Sequence, residues 1–223
     1  MKLMLSGRRT MRTFKTGVQL SAAQMMECAL ERTHDWHYDV VSIGFPGPVR
    51  NGCPSGDPPR VGAGWVGFDY EGAFGRPVRI INDAALQALA AYRGKCMLFL
   101  GLGTGFGSTL IADDILIPLE LGWLRFDARR SLLQQLADNG PERLGLRRWR
   151  RDVAKTVGNL KAAFAVDDIV LGGGNAARLG NIPRDWRIRT NAQAIRGALR
   201  LWENADRIFA IPRGSIWEIH SSH

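Results

Sequence analysis

The sequence predicts an alternating α/β fold, and three observations carry that prediction. Short apolar runs recur at Tyr38–Phe45 (YDVVSIGF), Val78–Ile81, Met97–Leu100 and Asp168–Leu171, each stopped by glycine, proline or polar residues. Between them lie segments with helical signatures, and strands alternating with helices are the mark of α/β architecture. The composition is that of an ordinary globular protein: 223 residues, 45% hydrophobic and 23% charged. That length suits one compact domain or two small lobes sharing a cleft.

The elements follow in chain order. Ser21-Ala-Ala-Gln24 is a capping-box pattern, and it starts a helix that runs to about Thr33. Tyr38–Phe45 reads as a buried strand ended by Pro46-Gly47-Pro48, and residues 50–64, rich in Gly, Pro and polar groups, read as a loop. Trp65–Phe74 is a short helix or turn, Val78–Ile81 a strand and Ala84–Tyr92 a helix. Met97–Leu100 is a strand that enters a glycine run at 101–107, Ser108–Ala112 leaves it as a strand, and Asp113-Asp114 make a turn. Val153, Val157, Leu160 and Phe164 fall on one face of a helix. Asp168–Leu171 is a strand ended by Gly172-Gly173-Gly174, Asn191–Trp202 is the last helix, and the tail after Glu203 reads as irregular.

Several function classes recede on composition. No run approaches the roughly 18 apolar residues of a membrane span, and no N-terminal stretch resembles a signal peptide, so a cytoplasmic protein without membrane contact is expected. Cys28, Cys53 and Cys96 are three and far apart, which points to reduced thiols and no structural metal. Thirty Lys+Arg oppose 21 Asp+Glu, a net charge of +9. Such an excess attracts polyanions. It is densest at Arg143, Arg147, Arg148, Arg150, Arg151, Lys155 and Lys161, which form either a solvated helix face or a polyanion contact. Charge alone, with no recognised module, does not make a nucleic-acid-binding protein, and nucleic acid is not an expected partner.

Three places carry candidate chemistry. At Asn82-Asp83-Ala84 an apolar strand meets a helix. Either polar residue can cap that helix; alternatively, a carboxylate at the carboxyl end of a strand points into the crevice where α/β proteins bind ligands. The run Gly101-Leu-Gly-Thr-Gly-Phe-Gly-Ser108 lacks the spacing of a dinucleotide fingerprint. It reads as a glycine-rich turn between antiparallel strands, either a plain hairpin or an anion cradle of bare N–H groups with the Thr104 hydroxyl added. Gly172-Gly173-Gly174-Asn175 follows a strand and is either a loop or a flat surface for a ligand.

Taken in order, Ile43-Gly-Phe-Pro-Gly47, Gly64-Trp-Val-Gly-Phe-Asp69, Asn82-Asp83-Ala84, Gly103-Thr-Gly105, Glu120-Leu-Gly122 and Leu171-Gly-Gly-Gly-Asn175 resemble the ROK family of sugar kinases, most closely its polyphosphate glucokinase branch. The resemblance spans about residues 38 to 203. It implies an actin-like, hexokinase-type fold of two ribonuclease-H-like lobes, here 1–92 and 93–223, with the last helix packing back on the first lobe. It implies phosphoryl transfer from ATP or polyphosphate to a hexose, glucose by preference, with Mg²⁺ accompanying the donor; a homodimer is a possibility. Asp83 would be the general base, Asn82 and Glu120 would contact the sugar, Gly103, Thr104 and Gly105 would hold the transferred phosphate, and Gly172, Gly173, Gly174 and Asn175 the nucleotide or its equivalent.

The chain departs from that family at three points. The opening strand and Asp-x-Gly-Gly-Thr turn of such kinases are nowhere in the sequence, and Met1–Gly7 resembles the second strand, so the first strand is expected to be missing and the chain as it stands to be a weak or inactive enzyme. Arg60 falls where a sugar-binding asparagine is usual. Glu-x-Gly-His reads Glu120-Leu-Gly-Trp123, and an indole, with one donor and no acceptor, cannot replace a histidine ligand; Trp123 would stack on a sugar face or pack. The alternative function is a non-catalytic sugar- or polyanion-binding protein of the same fold.

Overall fold

The computed structural model describes residues 1–8, 10–17, 19–58, 61–189, 194–202 and 217–218. Its largest unit is a mixed six-stranded sheet built from β7 (Met97–Gly101), β8 (Ser108–Ala112), β9 (Ile115–Leu119), β10 (Asp168–Gly172), β11 (Trp186–Ile188) and β12 (Trp217–Glu218). Their order across the sheet is β11-β10-β7-β8-β9-β12, with β7, β10 and β11 parallel and β8, β9 and β12 antiparallel to their neighbours. The period-2 alternation of β7 splits its apolar residues between two cores. Leu98 and Leu100 face the helix α6 (Leu146–Phe164), whose Trp149, Val153, Val157 and Leu160 are buried. Met97 and Phe99 face the helix α3 (Asp83–Ala91).

The N-terminal part is built differently. β1 (Lys2–Met4) and β2 (Met11–Thr13) form one antiparallel pair, and β3 (Val41–Phe45) and β6 (Val78–Asn82) a separate parallel pair. Both lie under α1 (Ala22–Thr33), with Met1 and Ile43 packed against the cluster that contains Met25 and Met26. The capping box forms as the sequence predicts: Ser21 Oγ accepts from the Gln24 N–H at 3.3 Å, and Gln24 Oε1 accepts from the Ser21 N–H at 3.0 Å. The last helix, α7 (Ala194–Arg200), crosses back to β3 and α3: Ser42 Oγ donates to Ala198 O and accepts from Trp202 Nε1, both at 2.8 Å.

Several expectations need correcting. β3 starts at Val41 rather than Tyr38, because its partner β6 is preceded by Pro77, which has no N–H to continue the ladder. The expected loop at 50–64 contains a two-residue hairpin, β4 (Val49–Arg50) with β5 (Cys53–Pro54). The Trp65–Phe74 segment is helical only at α2 (Tyr70–Phe74). Two short helices, α4 (Leu132–Leu136) and α5 (Gly140–Leu144), and the strands β9 and β11 were not anticipated. Beyond Glu203, expected to be irregular, Trp217–Glu218 add a strand to the open edge of β9. No helix among the described residues is long and apolar enough to cross a membrane.

Candidate active site

The site is assembled by strand ends. β3 and β6 run parallel and in register to their last residues, Phe45 opposite Asn82, so Pro46-Gly47 and Asn82-Asp83 emerge at the same end. β7 and β10 do the same, Gly101 opposite Gly172, so both glycine runs leave the large sheet side by side. Carboxyl ends of adjacent parallel strands are where open α/β sheets form their ligand crevice.

Asn82 and Asp83 divide the two roles between them. Asn82 is the cap: its Oδ1 accepts from the N–H groups of Ala84 and Ala85 at 3.0 and 3.2 Å, and its Nδ2 donates to Gly47 O at 3.1 Å, tying the two strand ends together. That leaves one amide hydrogen for a ligand. Asp83, the first residue of α3, is thereby relieved of capping. Its side chain is open to solvent, yet loss of solvation is the largest influence on it. Burial pushes its pKa up to about 6; the N–H of Ala84 partly opposes this, and the negative charge of Glu120 adds to it. Glu120 is itself raised by burial. Asp83 thus feels the charge of a second carboxylate that the turn after β9 brings close to it.

The glycine turn is seated against Asp83. A Cβ on Gly107 would lie 2.7 Å from Ala84 Cβ, so this approach requires glycine, and the turn runs directly over the start of α3. On the other side of α3, a Cβ on Gly44 would lie 3.6 Å from Asp83 Cα and 2.9 Å from Leu86 Cδ2. The run 101–107 turns the chain between antiparallel β7 and β8, as expected, with Gly101 N–H donating to Gly107 O at 2.7 Å and Gly103 N–H to Gly105 O at 3.2 Å. Thr104 and Gly105 at its tip are exposed, and a Cβ on Gly105 would meet nothing within 4 Å.

The second glycine run packs backbone to backbone on the first. Leu102 N–H donates to Gly172 O at 2.7 Å, Asn175 N–H donates to Leu102 O at 2.9 Å, and a Cβ on Gly173 would come within 2.7 Å of Gly103 N. Gly174 is exposed and, like Gly105, faces open space. Asn175 is engaged within the protein: its Nδ2 donates to Asp138 O at 3.0 Å and its Oδ1 accepts from Arg178. Asp138, whose N–H donates to Gly103 O at 2.6 Å, fixes the same turn from a left-handed backbone conformation. It escaped the sequence reading, although Asp138-Asn139-Gly140 is a turn-forming triplet.

Glu120 stands at the head of a tight turn, Leu121–Trp123, held by Trp123 N–H donating to Glu120 O at 3.2 Å and by Leu121 N–H donating to Ser108 Oγ at 3.0 Å. The structure therefore brings Asp83 and Asn82 close to Glu120 and to the first glycine run, against which the second run packs. Arg60 lies outside the described residues.

No protein-family model and no curated protein matches this sequence. Solved structures do. The chain is 25% identical to an inorganic polyphosphate/ATP-glucomannokinase from Arthrobacter sp. strain KM, with a TM-score of 0.63 over 79% of each chain. A ROK family glucokinase from Streptomyces griseus, solved with glucose and AMPPNP, is 17% identical over 83% of this chain and 89% of its own, with a TM-score of 0.63. The fold is that of the ROK-family sugar kinases. It also serves other ends: a ROK family transcriptional regulator, a homologue of the E. coli MLC protein, superposes with a TM-score of 0.59 at 13% identity, covering 85% of this chain and 72% of that one. Within the ROK fold the N-terminal sheet of this chain is divided, β1–β2 from β3–β6, whereas the C-terminal sheet is continuous.

Proposed function

We propose that this protein acts in the cytoplasm as a sugar kinase, transferring a phosphoryl group from polyphosphate or ATP to a hydroxyl of a hexose, glucose by preference. The observation that carries the proposal is Asp83: an accessible carboxylate with its pKa pushed up to about 6, freed from capping by Asn82 and set beside a bare glycine turn. A hydroxyl that attacks phosphorus must lose its proton, and a base is most effective when its pKa lies near the working pH. In this scheme Asp83 takes that proton, Asn82 and Glu120 orient the sugar, and the turn Gly103-Thr104-Gly105 receives the transferred phosphate on the N–H groups of Thr104 and Gly105 and the Thr104 hydroxyl, while the Gly103 N–H holds the turn through Gly105 O. The exposed backbone at Gly174, backed by Gly172 and Gly173, and the adjoining Asn175 receive the remainder of the donor. The rest of the catalysis is positioning and charge stabilisation. Mg²⁺ enters as part of the donor, bound largely by its phosphates as is usual for that ion, and the open space before Gly105 and Gly174 leaves room for such a complex.

The donor class is supported by the polyphosphate/ATP kinase among the similar structures and by the cations of α6, of which Arg147, Arg148, Arg150 and Arg151 are exposed. A second reading, a sugar- or polyanion-binding protein without turnover, draws on the divided N-terminal sheet. Incubation with glucose, mannose or N-acetylmannosamine and either ATP or polyphosphate, followed by mass spectrometry, separates the two. A hexose phosphate supports the kinase, hexose binding without product supports the binding protein, and neither binding nor product overturns both.

A further inference from the structure

The turn that presents Glu120 carries an unusual neighbour. Trp123 is 75% exposed, the most exposed of the large hydrophobic side chains described. The sequence left open whether it packs or stacks, and its exposure removes packing. Its indole N–H has no acceptor among the described residues, whereas the two most deeply buried tryptophans described each have one: Trp65 Nε1 donates to Gly62 O at 2.6 Å and Trp149 Nε1 to Leu136 O at 2.8 Å. Leaving a large aromatic surface in water forgoes the stabilisation its burial would bring.

The backbone beneath it is fixed. Leu121 and Gly122 are buried, and a Cβ on Gly122 would lie 3.2 Å from Phe106 Cβ and 3.4 Å from Leu133 Cβ. Leu124 N–H donates to Leu121 O at 3.0 Å, and Leu132 N–H donates to Leu124 O at 2.8 Å. Phe106 belongs to the glycine turn itself. The indole is thus carried on a firmly held turn, three residues after Glu120 and anchored on Phe106 of the glycine run.

We infer that Trp123 is the aromatic platform of the sugar site, a specificity-determining residue that covers one C–H face of a pyranose while Glu120 accepts hydrogen bonds from its hydroxyls. A sugar ring offers an apolar face and a polar rim, and a flat ring with one N–H beside a carboxylate complements both. The inference rests on the sugar-kinase reading above. It needs no turnover, only sugar binding.

The test is equilibrium binding of glucose to the intact chain, by calorimetry and by tryptophan emission, in wild type, Trp123→Ala and Trp123→Phe. Trp123→Ala is expected to bind glucose about tenfold more weakly, a change of about 1.4 kcal/mol, at a nearly unaltered melting temperature, because the side chain is largely exposed. Trp123→Phe is expected to keep most of the affinity but to lose the glucose-induced change in emission. Equal glucose affinity in wild type and Trp123→Ala overturns the platform and leaves the kinase reading standing. An affinity loss in Trp123→Phe as large as in Trp123→Ala, or an emission change that survives in Trp123→Phe, also overturns it. If the wild type binds no glucose, mannose or N-acetylmannosamine, the sugar reading fails and the platform fails with it.

Discussion

At the scale of single residues, the chemistry turns on which of two adjacent polar side chains caps α3. Either could by propensity, and the sequence left the choice open because cap preference does not distinguish Asn from Asp. The structure gives the cap to Asn82, since its amide can serve both the helix N–H groups and Gly47 O, whereas a carboxylate can only accept. Asp83 is left accessible with a pKa near 6, which has consequences for stability and activity. A carboxyl whose folded pKa is raised holds its proton more tightly in the folded state. Its favourable contribution is present at low pH and is lost as pH rises through about 6. Asp83→Asn is therefore expected to raise the melting temperature at pH 8 and to leave it unchanged near pH 4, as read by thermal scans at both values. A base must be deprotonated, so kcat/KM of the wild type is expected to fall as pH drops below about 6. At Gly105 the expectation differs: the position has no positive φ and faces open space, so Gly105→Val folds normally but obstructs the approach of the donor. Unchanged binding of ATP and polyphosphate to a folded Gly105→Val chain would reduce the run to an ordinary turn.

At the scale of elements, legibility followed length and locality. α1, α3 and α6 were visible because a cap or a helical period fixes them within one segment, and β6, β7 and β10 because apolar runs end in polar or glycine residues. α4 and α5, five residues each, are too short to show a period. β9 was missed although its turn was not: Asp113 and Asp114 adopt left-handed φ of 48° and 59°, the two-residue hairpin geometry that implies a strand on both sides. β11 and β12 owe their existence to partners distant in sequence, which no local pattern records. The candidate site was legible as separate motifs; that the two glycine runs stack through Leu102 and Gly173 was not. α6 supplies the prediction at this scale. Its buried face is apolar, and its outer face carries Arg147, Arg148 and Arg151, the last two sharing Asp152, while Arg150 Nε donates to Arg178 O beside the second glycine run. A chain of phosphates gains from many weak contacts along such a face, and each contact releases counterions. Replacing Arg147, Arg148, Arg150 and Arg151 by Gln is expected to weaken long-chain polyphosphate binding and flatten its salt dependence, with ATP binding unchanged. Equal polyphosphate affinity in both proteins would return these arginines to solvated surface charge.

At the scale of the whole molecule, a continuous C-terminal sheet and a divided N-terminal one meet at α3. The C-terminal sheet has β7 and β10 each flanked on both sides and buried. In the N-terminal half, β3 pairs only with β6 and β1 only with β2 among the described residues, β3 is largely half-exposed, and Met4, Met11 and Val40 lie open to solvent. Local stability follows such differences. Backbone amides of β3 are therefore expected to exchange with solvent much faster than those of β7 and β10 in a hydrogen-exchange experiment, and equal protection would show that the divided sheet is as firmly held as the continuous one. The candidate site draws on both sheets, because Asp83 follows β6 while Glu120 follows β9 and the glycine runs follow β7 and β10. The central claim is that Asp83 acts on the bound sugar rather than merely shaping the site. The most direct measurement is glucose affinity and glucose phosphorylation side by side in wild type and Asp83→Asn. The account predicts glucose affinity within about twofold of wild type and phosphorylation lower by on the order of 10²-fold or more; phosphorylation at the wild-type rate in Asp83→Asn would contradict it.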